Sequence, residues 1–202
     1  FDMIKIALTG GIGSGKTTVS RIFFENFGIP TIDTDKLARN AVSSKSIGLQ
    51  QIVKHFGVEI LNKKGELDRP KIKQIIFSDY MQKKKLEEII HPIVYELLEK
   101  ELAKTISAYC LIAVPILNKQ SKILSTVDRV LLVDCKESIR TKRAVERDKL
   151  GVSFVREIIK SQPSHLELKE LATDIIENNN GLTKLNNEVA ILHKKFANLI
   201  SL

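Results

Sequence analysis

Tryptophan is absent from the chain, and aromatic residues make up only 5% of its 202 positions. No surface of interleaved aromatic and basic residues emerges on which single-stranded nucleic acid could stack. No apolar run approaches the roughly 18 residues that a membrane span requires, and the N-terminus lacks the basic start and long apolar core of a signal peptide. Met3 reads as the natural start, with Phe1-Asp2 as a cloning remnant. The only cysteines, Cys110 and Cys135, sit in apolar runs and read as small buried residues. They support no disulfide framework, and a reducing, cytoplasmic setting is expected. Internal repeats and low-complexity stretches are also missing. What is present is an ordinary globular balance of 43% hydrophobic and 28% charged residues. The formal net charge is +8, which a phosphate-rich small molecule explains at least as well as nucleic acid or a membrane surface.

One stretch organises the rest. Gly10-Gly11-Ile12-Gly13-Ser14-Gly15-Lys16-Thr17 matches G-x-x-x-x-G-K-[ST], the P-loop pattern. Its glycines let the backbone take positive φ and approach a ligand closely, and successive N–H groups then form a nest for phosphate oxygens. In that pattern Lys16 reaches the β- and γ-phosphates and the Thr17 hydroxyl ligates Mg²⁺. The flanks agree: residues 4–9 form an apolar strand, and residues 16–27 a helix with Val19, Ile22, Phe23 and Phe27 on one face.

Further along, 31–33 reads as a second strand, with Asp35 at its end or at the N-cap of a helix over 35–43. Helices are expected over 47–56, after Asp68 as N-cap with Pro70 in the first turn, over 79–90, and from 92 to 107, with His91-Pro92 interrupting. The run Lys83-Lys84-Lys85 reads as a solvated face. Strands are expected over 109–117, ending near Pro115, over 127–134 and over 173–177. Helices are expected over 137–147, 152–162 and 182–200. The near-continuous apolar strands suit a parallel sheet covered on both faces, and the alternation implies an α/β, doubly wound architecture. The expected organisation is a single domain: a core of 1–35, 106–136 and 169–202, a helical insertion over 36–105 standing over the ligand-binding edge of the sheet, and a small helical lid over 137–168.

Three constellations carry chemistry beyond the loop. Asp33-x-Asp35 follows the second strand, where a carboxylate facing the loop could take a proton from an acceptor hydroxyl or order Mg²⁺ through water; capping is the alternative. Arg140, Arg143 and Arg147 are spaced to share a helix face, either closing over a triphosphate or lining an ordinary basic surface. Leu67-Asp68-Arg69 and His91-Pro92 are weak on their own. Asn118-Lys119-Gln120-Ser121 and Asp148-Lys149-Leu150-Gly151 resemble guanine-reading motifs, but the first lacks its terminal Asp and the order is wrong. These features favour a small-molecule kinase over a regulatory nucleotide switch. They leave open a nucleoside, nucleotide or shikimate-like acceptor.

Across nearly its whole length the sequence resembles the dephospho-CoA kinase family of P-loop kinases. The resemblance rests on Leu8-Thr9 leading into the loop and on through Thr18-Val19, on Ile32-Asp33-Thr34-Asp35 with Ala38-Arg39, and on Phe56-Gly57. It continues through Gly65 to Arg69, Leu86-Glu87 before His91-Pro92, Val114-Pro115, Arg143 and Arg147, Gln162, and the stretch from Asp174 to Asn178. It implies transfer of the ATP γ-phosphoryl group to the 3′-hydroxyl of dephospho-CoA by a P-loop kinase core with a helical CoA-binding insertion and a small lid. By resemblance Asp35 falls at the catalytic base, assisted by Asp33, Lys16 and Arg143. ATP is bound by Gly11, Ile12, Gly13, Ser14, Gly15, Lys16, Thr17, Thr18 and Arg147. The acceptor is bound by Thr9, Asp35, Arg39, Leu67, Arg69 and His91, and Mg²⁺ by Thr17 and, through water, Asp35. A monomer with no nucleic-acid or membrane partner is expected. Arg140 stands where glutamine is commoner in the family, Ile116-Leu117-Asn118-Lys119 lacks the family's acidic residue, and Thr173 stands where Asp is common. The asparagine turn is also one residue longer than usual.

Overall fold

The computed structural model describes residues 3–199; Phe1, Asp2 and the expected helix end at 200 lie outside the described residues. The chain divides into two compact units. One runs to Asp33 and resumes at Thr105, and the other spans Thr34–Lys104.

In the first unit five strands, β1 (Ile4–Thr9), β2 (Thr31–Asp33), β3 (Tyr109–Ala113), β4 (Arg129–Asp134) and β5 (Asp174–Glu177), form a sheet in the order β2-β3-β1-β4-β5. Every pairing is parallel. The chain builds outward from β1 first to one side and then to the other, so the end of β1 is the switch point at which open α/β sheets hold ligands. Helix α1 (Lys16–Phe27) follows directly. It stops at Gly28, whose φ of 67° is left-handed and whose N–H bonds the carbonyls of Phe23 and Phe24. Ile6 and Leu8 of β1 pack against Val19, Ile22 and Phe23 of α1 and against Leu185, Val189 and Phe196 of the C-terminal helix, Leu182–Asn198. Phe27 stacks on His193 with ring centroids 4.0 Å apart, and Tyr109 shares a 2.8 Å hydrogen bond with His193 Nδ1. Burial pushes the His193 pKa down and that of the Cys110 thiol up, to about 11.

The second unit holds α2 (Thr34–Ala41), α3 (Ile47–Phe56), α4 (Arg69–Ser78) and α5 (Tyr80–Lys104) around Ile52, Ile60, Ile72 and Leu86. Asp68 caps α4 by accepting from the Lys71 amide, with proline in the first turn. The expected break at His91-Pro92 is absent: α5 runs through it. Proline removes one bond, to the Glu88 carbonyl, but Glu88 and Pro92 both lie on the exposed face, where the carbonyl is open to solvent. Lys83 and Lys85 point to solvent and pair loosely with Glu87 and Glu88.

Several other ends shift. Helix α5 stops at Lys104 rather than 107, β3 at Ala113 rather than 117, and β4 begins at Arg129 rather than 127. Asp35 lies inside the first turn of α2 and not at its cap. Two of the remaining helices, α6 (Glu137–Asp148) and α7 (Val152–Ser161), match the expected pair, and a third, α8 (His165–Leu171), was not expected. Its signal is nonetheless local: Ser164 and Glu167 form a reciprocal capping box.

Candidate active site

The loop after β1 has the geometry its glycines allow. Gly13 and Gly15 hold φ of 72° and 100°, which a side chain would strain. Gly15 is also the N-cap of α1, and no side chain caps the first amides of that helix. A helix start left open in this way carries unpaired N–H donors and partial positive charge, the basis of anion binding. Two buried hydroxyls beside it, Thr9 Oγ1 and Ser14 Oγ, have no hydrogen-bond partner. A buried polar group without a partner is costly, so the cradle suits a ligand rich in oxygen atoms. Lys16 Nζ donates to the Gly10 carbonyl at 2.6 Å and reaches toward Gly11 O at 3.4 Å. The Thr17 side chain is exposed and Thr18 partly so.

Residues far along the chain fix this loop. Ile12 donates its N–H to Gln162 Oε1 at 2.9 Å and accepts from Arg140 Nε at 3.0 Å. Asn178 Nδ2 donates to the Ser14 carbonyl at 2.8 Å, and a Cβ on Gly15 would collide with that amide. Gln162 and Asn178 lie 150 and 164 residues from the loop atoms they hold. No local spacing marks them as loop partners.

The three arginines of α6 do not act as one cluster. Arg140 lies on the loop, buried enough that desolvation lowers its pKa. Arg143 donates to the Asn178 carbonyl at 3.1 Å and to Cys135 Sγ at 3.5 Å. Arg147 forms two 2.7 Å hydrogen bonds to the neighbouring Asp148 and is mostly exposed. Asp148, whose pKa the Arg147 hydrogen bonds lower, is thus taken by its neighbour, against the guanine-motif likeness. Asn118 likewise closes a turn, accepting from Gln120 and Ser121. Beside Arg140 a cavity of about 380 Å³ is lined by Asp134, Cys135, Lys136, Glu137, His165 and Asn179.

Asp33 ends β2, in register with Ala113 of β3, which in turn lies level with Leu8 of β1. At about 5 Å per strand, Asp33 stands roughly 10 Å across the sheet from Leu8. The second unit carries Asp35 and Arg39 on α2, Leu67 in an isolated bridge with Leu61, Arg69 at the start of α4 and His91 within α5. Leu67 packs on that unit's core, whereas Asp35, Arg39, Arg69 and His91 are exposed.

Thr173 explains one departure. Its hydroxyl accepts from the Val130 amide and donates to Asp174 Oδ2 at 2.8 Å. Burial pushes the Asp174 pKa up, but hydrogen bonds from Arg129, Lys195 and Thr173 outweigh it and hold the carboxyl below its usual range.

A parallel sheet with this loop at the end of β1 defines a P-loop kinase fold. Similarity in fold alone extends to a Bacteroides thetaiotaomicron shikimate kinase, with a TM-score of 0.54 at 13% identity over 96% of this chain and 98% of that one. A family model described as dephospho-CoA kinase matches residues 4–184, and the chain belongs to that family. The Vibrio vulnificus dephospho-CoA kinase is 40% identical over 95% of this chain and 94% of its own length. The Shewanella oneidensis dephospho-CoA kinase is 38% identical over 96% and 94%. Among solved structures, Campylobacter jejuni dephospho-CoA kinase superposes with a TM-score of 0.70 at 25% identity, covering 96% of this chain and 97% of that one.

Proposed function

We propose that this chain transfers the γ-phosphoryl group of ATP to the 3′-hydroxyl of dephospho-CoA, giving CoA and ADP. The observation that carries the reading is the cradle itself: an uncapped α1 start, left-handed glycines and two unpartnered buried hydroxyls, in a member of this family. Phosphoryl transfer asks mainly for positioning and charge stabilisation. The amides of Gly11, Gly13 and Gly15 to Thr18 hold the phosphates, the Ile12 and Ser14 N–H groups being bonded to Gln162 and to the Gly11 carbonyl, and Lys16 moves from the loop carbonyls to the β- and γ-phosphates. Arg143 stabilises charge on the transferring group, and Arg147 exchanges Asp148 for the nucleotide. The cavity beside Arg140 has the size of a small-ligand site and suits the nucleobase.

Asp35 accepts the proton of the 3′-hydroxyl as its oxygen bonds to the γ-phosphorus. The bond from that phosphorus to the bridging oxygen breaks, and the electron pair leaves with ADP. Asp33 supports the same carboxylate region. Thr9, Arg39, Leu67, Arg69 and His91 hold the acceptor. Thr17, with Asp35 through water, would hold Mg²⁺, which would supply charge neutralisation on the phosphates. Among the described residues no group of three or more His, Cys, Asp or Glu could hold a metal by itself, and a Mg²⁺ bound largely by phosphate and water needs none. Among the described residues no helix is long and apolar enough to cross a membrane. We read the protein as a cytoplasmic monomer without nucleic-acid or membrane partners.

The test is an acceptor panel: purified protein with Mg-ATP and dephospho-CoA, nucleosides, nucleotides or shikimate. ADP formed only with dephospho-CoA, together with a 3′-phosphorylated product, is the expected result. Equal or faster turnover of another acceptor contradicts it.

A further inference from the structure

Both backbone polar groups of Ile12 are held by residues outside the P-loop. Gln162 Oε1, in the link between α7 and α8, accepts the Ile12 N–H, and Arg140 Nε donates to the Ile12 carbonyl. Arg140 Nη2 also donates to Gln162 Oε1 at 3.3 Å, which closes a ring of three hydrogen bonds. The fit is close: a Cβ on Gly11 would collide with the Arg140 guanidinium, and one on Gly13 with the Arg140 carbonyl. Among the described residues there is no cis peptide. In a trans peptide the carbonyl and the following N–H point in opposite directions from one plane. Holding the Ile12 carbonyl toward Arg140 therefore turns the Gly13 N–H to the other side, away from the guanidinium.

We propose that Arg140 is a positioning residue of the nucleotide site, acting through the Ile12–Gly13 peptide by a hydrogen bond rather than through its charge on the phosphates. Gln162 is its partner and holds the preceding amide. The pair ties α6 and the α7–α8 link to the loop, so the phosphate nest is set before nucleotide arrives. This rests on the reading of the loop as a triphosphate site.

Substitutions separate a hydrogen bond from a charge. Glutamine places its side-chain nitrogen the same number of bonds from Cα as arginine Nε and carries no charge. Lysine keeps the charge but has carbon at that place. Binding of a non-hydrolysable ATP analogue is measured by calorimetry for wild type, R140A, R140Q, R140K and Q162A, with a thermal melt of each. We expect R140A to bind about tenfold more weakly, R140Q to recover to within about threefold of wild type, and R140K to stay close to R140A, the tenfold loss being about 1.4 kcal/mol and within the range of a single hydrogen bond. Q162A should weaken binding severalfold, and R140A/Q162A should fall short of the product of the two single effects. Recovery by R140K but not R140Q overturns the proposal in favour of a direct charge role. Affinity unchanged in R140A, or, should R140A not fold, equal in R140Q and R140K, overturns it as well. Failure of the wild-type protein to bind the analogue at all would instead reject the triphosphate reading beneath it.

Discussion

The two units of the chain hold their candidate residues in different ways. In the P-loop unit the backbone does the work: left-handed glycines, an open helix start, buried hydroxyls and hydrogen bonds from Gln162, Arg140 and Asn178 leave little freedom to the site. In the Thr34–Lys104 unit the candidates Asp35, Arg39, Arg69 and His91 are exposed side chains on well-formed helices. Their helices would form equally well with other residues there. On the proposed roles, the contrast puts phosphate binding in backbone conformation and acceptor choice in surface chemistry. Changes in the first unit should therefore abolish handling of any triphosphate, whereas changes in the second should alter the acceptor side.

The sharpest way to break this division is at Lys16. Lys16→Ala should lower turnover by about a hundredfold or more through lost charge stabilisation. A steady-state assay giving activity within a few-fold of wild type would remove Lys16 from the mechanism. Next is Asp35→Asn, which should lower kcat by about a hundredfold, the range for a missing general base, while ATP-analogue affinity changes by less than about threefold. Loss of nucleotide binding with little else altered would make Asp35 a metal-site residue instead.

A smaller effect concerns stability. Asp174 is buried between Arg129 Nε at 2.7 Å and Lys195 Nζ at 2.6 Å. Asp174→Ala should cost about 3 kcal/mol at pH 7, because it strands part of a buried charge network. The folded-state pKa of Asp174 is depressed, so its contribution is present above the unfolded value near about 4 and is lost as pH falls through the folded one. Denaturant titrations should show the gap between wild type and variant closing as pH is lowered below about 4. A constant gap would mean that packing, not ionisation, is at stake.

The core was legible because its signals are short-range. A short strand carrying Ile4, Ile6, Ala7 and Leu8, a glycine loop and a helical stripe specify β1, the loop and α1 without reference to the rest of the chain. The strands of the parallel sheet were found for the same reason, although their ends were read too long at 114–117 and 127–128. Val114 and Asp128 still donate to the Leu8 and Lys5 carbonyls of β1, just outside the strands, and Pro115 offers no N–H to carry the ladder further. Pro92 misled because a proline's effect depends on which face of a helix it occupies, and α5 shows that face only once packed. The partners of the loop are illegible from spacing: Gln162 and Asn178 reach it only in the folded chain, where β4 pairs with β1 and β5 with β4, and the α7–α8 link comes back onto the loop. Arg140, Arg143 and Arg147 share a helix, yet each finds a different partner, which periodicity cannot foresee. The acceptor residues were carried by family resemblance alone.

Crossed calorimetry is the most direct test of the division of labour: an ATP analogue and dephospho-CoA titrated separately into Lys16→Ala and Arg69→Ala. The expected pattern is reciprocal. Lys16→Ala weakens the analogue by about tenfold and leaves dephospho-CoA unchanged, and Arg69→Ala does the reverse, as loss of one charge-assisted contact in each case would give. Both variants weakening the same ligand, or Arg69→Ala weakening neither, would contradict it.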